Sequence, residues 1–381
     1  MSEPAALLEA LDAAALTPLV RLALDLDDAD VTDWRHDPFG HSLDAVGGTA
    51  RSIFRFSGSA RTGGRSTPWS MVLKIVTAPA TPGDPASPAN GEREPLAYAS
   101  GLLDGIGGVT APRCFAVLSQ PTGGAWVWLE DIVEAIGHEW PQERYLLAAR
   151  HLARFNGAHP AGRPSLAYPW LSRSPLREAV RQMSPAVGRI REARDHPLVG
   201  TAISEDAAAT LLGLLDDVER WLDRLDDMPP VLCHWDAHRA NLASRTGAEG
   251  AVETVAFDWA GIGWGPAGAD LSKLLSQAVN FFGLPADALP ALDARLFEAY
   301  LHGLRETGWR GDARSVRLAY VVASAARLIV RTASALDLAF DARARAAFER
   351  AAGVPFASLA ATFRRTLPYY LSHVDEARGL F

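Results

Sequence analysis

The hydrophobic period of this chain turns from mainly strand-like to mainly helical near Asp131. Before that point the apolar residues fall in short β-branched or aromatic runs at 42–46, 51–56, 69–76, 114–118 and 125–129, each bounded by Gly, Pro or Ser. Beyond it, the runs at 143–158, 176–193, 205–225, 269–281, 291–306 and 316–336 repeat at helical spacing. Strands that follow one another without crossover helices pair as hairpins, so the order predicts an α+β chain, not a parallel βαβ sheet. We expect an N-terminal lobe over 1–130, with a helix over 1–28, a small antiparallel sheet and one helix over 92–103, and a helical C-terminal lobe over 131–381. One island interrupts the helices: between Pro230 and Gly268 two β-like runs, PPVLCHWDAHRANLA and ETVAFDWAGIGWG, set His, Asp and Asn beside apolar residues.

Composition narrows the function classes. With 37 basic against 45 acidic residues and a net charge of −8, no domain-wide basic surface exists, so no nucleic-acid partner is expected. The 2 cysteines, Cys114 and Cys233, lie far apart in apolar runs and read as buried free thiols, which excludes a disulfide framework. Glu3, Glu9 and Asp12 stand where a secretory leader carries positive charge, and no uninterrupted apolar stretch reaches membrane-spanning length. The expectation is a cytoplasmic protein with no membrane partner. Lys74 and Lys273 are the only 2 lysines in the sequence.

His234-Trp-Asp236-Ala-His238-Arg-Ala-Asn241 follows the apolar run VLC, and Asp258 ends a second apolar run 22 residues after Asp236. This set suits phosphoryl transfer: one carboxylate orients an acceptor hydroxyl and takes its proton, while an amide oxygen and a second carboxylate hold Mg2+ against nucleotide phosphates. His234 reads as a loop-supporting histidine. Lys74 lies inside the apolar run WSMVLKIV, where an unpaired ammonium is costly, so it needs a partner. Glu92 and Glu94 at the start of the next helix are the candidates, and we favour Glu94. Paired in this way, the ammonium is left to contact α- and β-phosphate oxygens. Lys273 has no comparable setting and is expected at the surface. Gly48 and Thr49, in a Gly-Gly turn between two strand-like runs, would offer backbone N–H groups to phosphates. Trp128 and Leu129 fall where a hinge would pass an adenine edge, binding through backbone groups.

These residues resemble the aminoglycoside phosphotransferase and choline-kinase-like family of small-molecule kinases. The similarity runs from WSMVLKIV through GEREPLAY, VWLED and AARHLARFNGAH to HWDAHRANL and FDWAGIGWGPAGADL. It implies a bilobal protein-kinase-like fold, with ATP (GTP as the alternative) and Mg2+ as cofactors and the hydroxyl of a small molecule as acceptor. Carried over by position, Asp236 is the catalytic aspartate, Asn241 and Asp258 the Mg2+ ligands, Lys74 with Glu94 the phosphate-binding pair, and Asp270 a brace for the catalytic loop. Two departures are a phosphate loop short of glycine and Pro95 directly after Glu94. For the acceptor, His238, Trp259, Trp264 and Trp170 are candidate contacts. The Ala- and Arg-rich C-terminal helices, with Arg317, Arg327 and Arg331, lack the acidic wall a polycation wants, so an uncharged hydroxylated acceptor fits as well as an aminoglycoside. Two other classes stay open at this level: a nucleotide-binding regulatory protein without turnover, and a metal-dependent hydrolase built on His234, Asp236 and His238.

Overall fold

Along strand β3 (Arg65–Val76), Trp69, Met71, Leu73 and Ile75 project to one face, and Val72, Lys74 and Val76 project to the other. The first set joins an apolar core with Phe56 and Ala60 of β2 (Arg51–Thr62) and with Trp126 and Trp128 of β5 (Ala125–Glu130). Helix α1 (Ala13–Leu24) contributes Leu16, Leu19 and Val20 to the same core. Phe56 meets Trp128 edge-on at 4.9 Å, a geometry that favours aromatic pairs. With β1 (Asp30–Pro38) and β4 (Cys114–Ser119) these strands form a five-stranded sheet in the order β1-β2-β3-β5-β4, antiparallel throughout. Gly63 and Gly64, both at positive φ, turn β2 into β3 with Thr62 opposite Arg65, the two-residue hairpin that glycine permits.

The computed structural model describes residues 8, 11–38, 51–77, 83–121, 123–137, 139–247 and 250–381. They divide into two compact units: described residues within Met1–Asp84, Ala89–Asp104 and Ala111–Val133, and those within Pro85–Pro88, Gly105–Thr110 and Glu134–Phe381. The first holds the five-stranded sheet with α1 and α2 (Arg93–Ala99). The second carries α3 (Gln142–Ala158), α4 (Pro175–Gly188), α5 (Glu205–Asp226) and α6 (Leu271–Leu274), followed by α7 (Leu289–Glu306), α8 (Ala313–Phe340), α9 (Ala342–Ala352) and α10 (Phe356–Leu380). Among these helices sit strands β6 (Ser172–Arg173), β7 (Pro230–Cys233), β8 (Leu242–Thr246), β9 (Val252–Ala256) and β10 (Gly263–Pro266). β7 and β6 flank β10, while β8 and β9 make a separate hairpin.

Several boundaries differ from those expected. Among the described residues, α1 ends at Leu24, and a strand, β1, follows it, pairing with β2 along its length. Its sequence, DVTDWRHDP, shows no clean alternation because it is an edge strand with mostly exposed side chains. The expected strand at 42–46 lies outside the described residues. The run 269–281 forms two short helical segments, Leu271–Leu274 and Ala278–Phe281, and not one helix. Helices α9 and α10 were not expected, yet α10 buries Phe363, Leu367, Tyr370 and Val374. Helix α8 is the one described helix long and apolar enough to cross a membrane, and 72% of that window is buried inside the protein, as befits a core helix.

Helix α3 is stitched to the β8–β9 hairpin by polar groups. Arg144 Nε donates to Ser244 Oγ at 2.5 Å and Nη2 to Thr254 Oγ1 at 2.9 Å, and His151 Nδ1 lies 2.9 Å from the same Thr254 hydroxyl. Burial, with the nearby Arg144, pulls His151 down to about 4. A histidine whose folded value is depressed costs stability when acid protonates the unfolded chain first, so stability is complete above about 6.5 and falls as pH drops toward 4. At about 1.4 kcal/mol per pH unit, urea unfolding at pH 5 should show about 2 kcal/mol less stability from this group than at pH 7. His151→Gln is expected to remove that part of the acid sensitivity.

Candidate active site

In the second unit, β7 delivers the His234 to Asn241 segment and β9 delivers Phe257 and Asp258. One histidine ties the two together. His234 Nε2 lies 2.8 Å from the Phe257 carbonyl, and its Nδ1 accepts the Asp236 amide N–H at 3.2 Å. A carbonyl only accepts and an amide N–H only donates, so the ring carries its proton on Nε2. The Phe257 amide in turn donates to the Asn241 carbonyl at 2.9 Å. Both ends of the Phe257 peptide unit are therefore fixed to the loop, which sets the half-buried Asp258 beside it, in the left-handed conformation at φ 54°. Aspartate tolerates that region better than most residues.

Asp236 has both carboxylate oxygens engaged. Asn241 Nδ2 donates to Oδ2 at 2.8 Å and to the Asp236 carbonyl at 3.0 Å, and Lys273 Nζ lies 2.7 Å from Oδ1. His238 Nε2 is 3.5 Å from Oδ2. Burial by itself would raise the Asp236 pKa, but the Lys273 ammonium and then His238 outweigh it and hold the carboxyl well below the usual range. Lys273 is thus not a free surface residue: its helix, α6, carries it onto the Asp236 carboxylate.

The loop is held from behind by a buried network. Asp270, fully buried, accepts the backbone N–H groups of His234 at 2.9 Å and Trp235 at 2.7 Å. Asn156 of α3 donates to Asp270 Oδ2 at 2.9 Å and to the Leu232 carbonyl at 2.8 Å. Tyr300 of α7 donates to Asn156 Oδ1 at 2.6 Å and accepts the Gly268 N–H. Arg327 of α8 donates to the Trp235 carbonyl at 2.7 Å. These bonds hold Trp235 at φ 67°, a conformation that is strained for a bulky side chain. Arg239, on the same loop, pairs with Glu134 at 3.1 Å and sits over the Trp140 ring at 4.3 Å and the Phe282 ring at 5.0 Å. Sequence reasoning missed Asn156, Tyr300, Lys273 and Arg327. Asn156 lies in the quoted run AARHLARFNGAH, where a polar residue on an otherwise buried helix face was the available signal.

In the first unit, Lys74 Nζ pairs with Glu94 Oε2 at 2.5 Å, both side chains nearly fully buried. Glu94 lies in the first turn of α2 and Pro95 follows it there, where proline costs little. Glu92 lies just before the helix.

Other expectations change as well. Trp128 and Leu129 belong to β5, which pairs with β3 on one side and β4 on the other, so the sheet takes up their backbone groups and leaves them unavailable to an adenine edge. Trp259 is fully buried, 4.6 Å from the His234 ring and with Nε1 donating to the Ala256 carbonyl, so it supports the loop and is not open to an acceptor. His238 is likewise buried, against Asp236 and Gln277. Trp264 does line an open cavity of about 790 Å3. Trp170 is buried. Gly48 and Thr49 lie outside the described residues.

Comparisons with known proteins agree with this arrangement at the level of fold. The chain is similar to a microcompartment-associated aminopropanol kinase, with 16% identity, a TM-score of 0.55 and coverage of 95% of this chain and 99% of that one. It is similar to amicoumacin kinase hAmiN in complex with AMP-PNP, Ca2+ and Ami, with 17% identity, a TM-score of 0.50 and coverage of 93% and 95%. An aminoglycoside phosphotransferase from Alicyclobacillus acidocaldarius matches with 16% identity, a TM-score of 0.50 and coverage of 91% and 93%. No curated protein matches the chain in sequence. The family model described as "Phosphotransferase enzyme family" (APH) matches residues 56–313, from β2 through the loop that carries His234, Asp236 and Asn241 to the start of α8, and the chain belongs to that family.

Proposed function

We propose that this protein is a small-molecule kinase that moves the γ-phosphoryl group of ATP onto a hydroxyl of a small acceptor. The observation that carries the reading is Asp236: ionised, half-open to solvent, and gripped on one oxygen by Asn241. Its depressed pKa suits a hydrogen-bond acceptor that orients the hydroxyl and takes its proton late, as the loose transition state of phosphoryl transfer requires. Because Asn241 spends its Nδ2 on Asp236, its Oδ1 turns the other way. Asn241 Oδ1 and Asp258 are the ligands that would hold Mg2+, which supplies charge neutralisation for the nucleotide phosphates. Lys74, fixed by Glu94, is the donor to phosphate oxygens. The metal-hydrolase alternative loses its ligands, since both ring nitrogens of His234 are spent on backbone groups and no group of three or more His, Cys, Asp and Glu is poised for a metal among the described residues.

For the acceptor we take the cavity lined by Tyr168, Trp264 and Trp235, the residue before Asp236; Asp236 is not itself in its lining, and the aromatic walls suit a molecule with apolar surface as well as a hydroxyl. Arg163 and Arg173 line it too, while its carboxylate, Asp226, is tied to Arg177 and Ser174. That charge balance opposes a polycation. The test is incubation with Mg·ATP or Mg·GTP and a panel of macrolides, nucleosides, hexoses, amino sugars, amino alcohols and aminoglycosides, with nucleoside diphosphate release as the readout. Acceptor-dependent release is expected; nucleotide binding with no release on any acceptor would favour a regulatory protein instead. Lys74→Met is expected to weaken nucleotide binding about 10-fold or more, by analogy with the loss of a charged hydrogen bond of about 1.5–3 kcal/mol.

A further inference from the structure

The chain has 2 lysines among 37 basic residues, and both sit in short ion pairs with carboxylates: one with Glu94, the other with Asp236. The second pair has no counterpart in the roles assigned above. Lys273 lies three residues after Asp270, so one turn of α6 presents both from a single short helix. Asp270 is fixed to the loop amides of His234 and Trp235, which holds the Lys273 stem in register with the catalytic loop. The ammonium has three N–H donors, and Asp236 is its one polar partner among the described residues, with 24% of the side chain exposed.

We infer that Lys273 is a catalytic residue that contacts the phosphoryl group during transfer, with Asp236 holding it in place beforehand; this rests on the kinase reading. An acceptor oxygen hydrogen-bonded to Asp236 lies about 2.7 Å from a carboxylate oxygen, and Nζ is 2.7 Å from Oδ1. The ammonium is therefore within about 5.4 Å of the attacking oxygen when the hydroxyl shares Oδ1, and farther by up to about 2.2 Å, the separation of the carboxylate oxygens, when it sits on Oδ2. In the step itself, the bond from the acceptor oxygen to phosphorus forms and the bond from phosphorus to the β,γ-bridging oxygen breaks. The bridging electron pair leaves with the nucleoside diphosphate, and the hydroxyl proton passes to Asp236. Negative charge is then spread over the equatorial phosphoryl oxygens, and two uncommitted N–H donors of Lys273 are at hand to receive it. A plain structural ion pair would need the charge of Lys273 but not its free donors or its reach.

The experiment compares wild type with Lys273→Met and Lys273→Cys, the latter before and after alkylation with 2-bromoethylamine, which rebuilds an ammonium of lysine length. Wild type treated with the same reagent controls for Cys114 and Cys233. Nucleotide Kd, kcat and KM are measured, with water as acceptor where no better one is found. Lys273→Met is expected to lower kcat about 100-fold, the scale of losing one transition-state donor, with nucleotide Kd unchanged within about twofold. Alkylated Lys273→Cys is expected to regain most of the rate. Full turnover in Lys273→Met, or a loss that alkylation does not restore, overturns the inference while leaving the kinase reading intact. A wild type that neither binds nucleotide nor releases diphosphate overturns both.

Discussion

Replacing Asp236 with asparagine is expected to abolish turnover while leaving nucleotide binding in place. The amide matches the carboxylate in size, and its oxygen still accepts the Asn241 Nδ2 bond that spans 2.8 Å in the native loop. What is lost is the charge and the site for the acceptor proton. General-base positions contribute about 10²–10⁴-fold, and here the negative charge also holds Lys273, so kcat should fall by about 10³-fold or more. Fluorescence titration with a nucleotide analogue should give the wild-type Kd within about twofold. Turnover at the native rate would remove Asp236 from the chemistry and with it the central element of the proposed function.

Asp270→Ala should give the largest loss of stability of any single change in the catalytic region. The carboxylate is fully buried and accepts from the His234 and Trp235 amides and from Asn156 Nδ2. Its removal leaves two buried backbone N–H groups without an acceptor, takes one of the two acceptors of Asn156 Nδ2, and frees Trp235 from its positive-φ conformation. A cost of about 3–5 kcal/mol is expected, read as a lowered urea midpoint, together with loss of turnover. Asp270→Asn retains one acceptor oxygen but turns an NH2 toward an amide donor, so it should fall between wild type and alanine. A small change in midpoint for Asp270→Ala would mean that the loop is held chiefly by Arg327 and His234.

The sequence carried the α+β order of elements, because a hairpin sheet and a helical region differ in the period of their apolar residues. It also carried the residues with local signatures: His234, Asp236 and Asn241 sit within one turn-and-strand segment, and Asp258 ends a recognisable apolar run. The buried lysine of β3 announced a partner, because an ammonium in an apolar strand is costly alone, and Glu94 supplies it.

The tertiary structure decided what depends on contacts across long sequence separations. Asp236 and Lys273 are 37 residues apart, and Asn156 meets Asp270 across 114. A lysine on a short, mostly buried helix and an asparagine on an amphipathic one look ordinary until the chain folds them against the same loop. The same holds for the corrections: Trp259 looked like a cleft aromatic and is core, and Trp128 looked like a hinge and is an interior strand residue. β1 and α10 were hidden for a related reason. An edge strand needs no apolar alternation, and a helix interrupted by Pro368 and carrying Arg364 and Arg365 among its apolar residues shows its buried face only against its neighbours. Local period and residue chemistry are written along the chain; burial, charge pairing and which face meets which are properties of the packed whole.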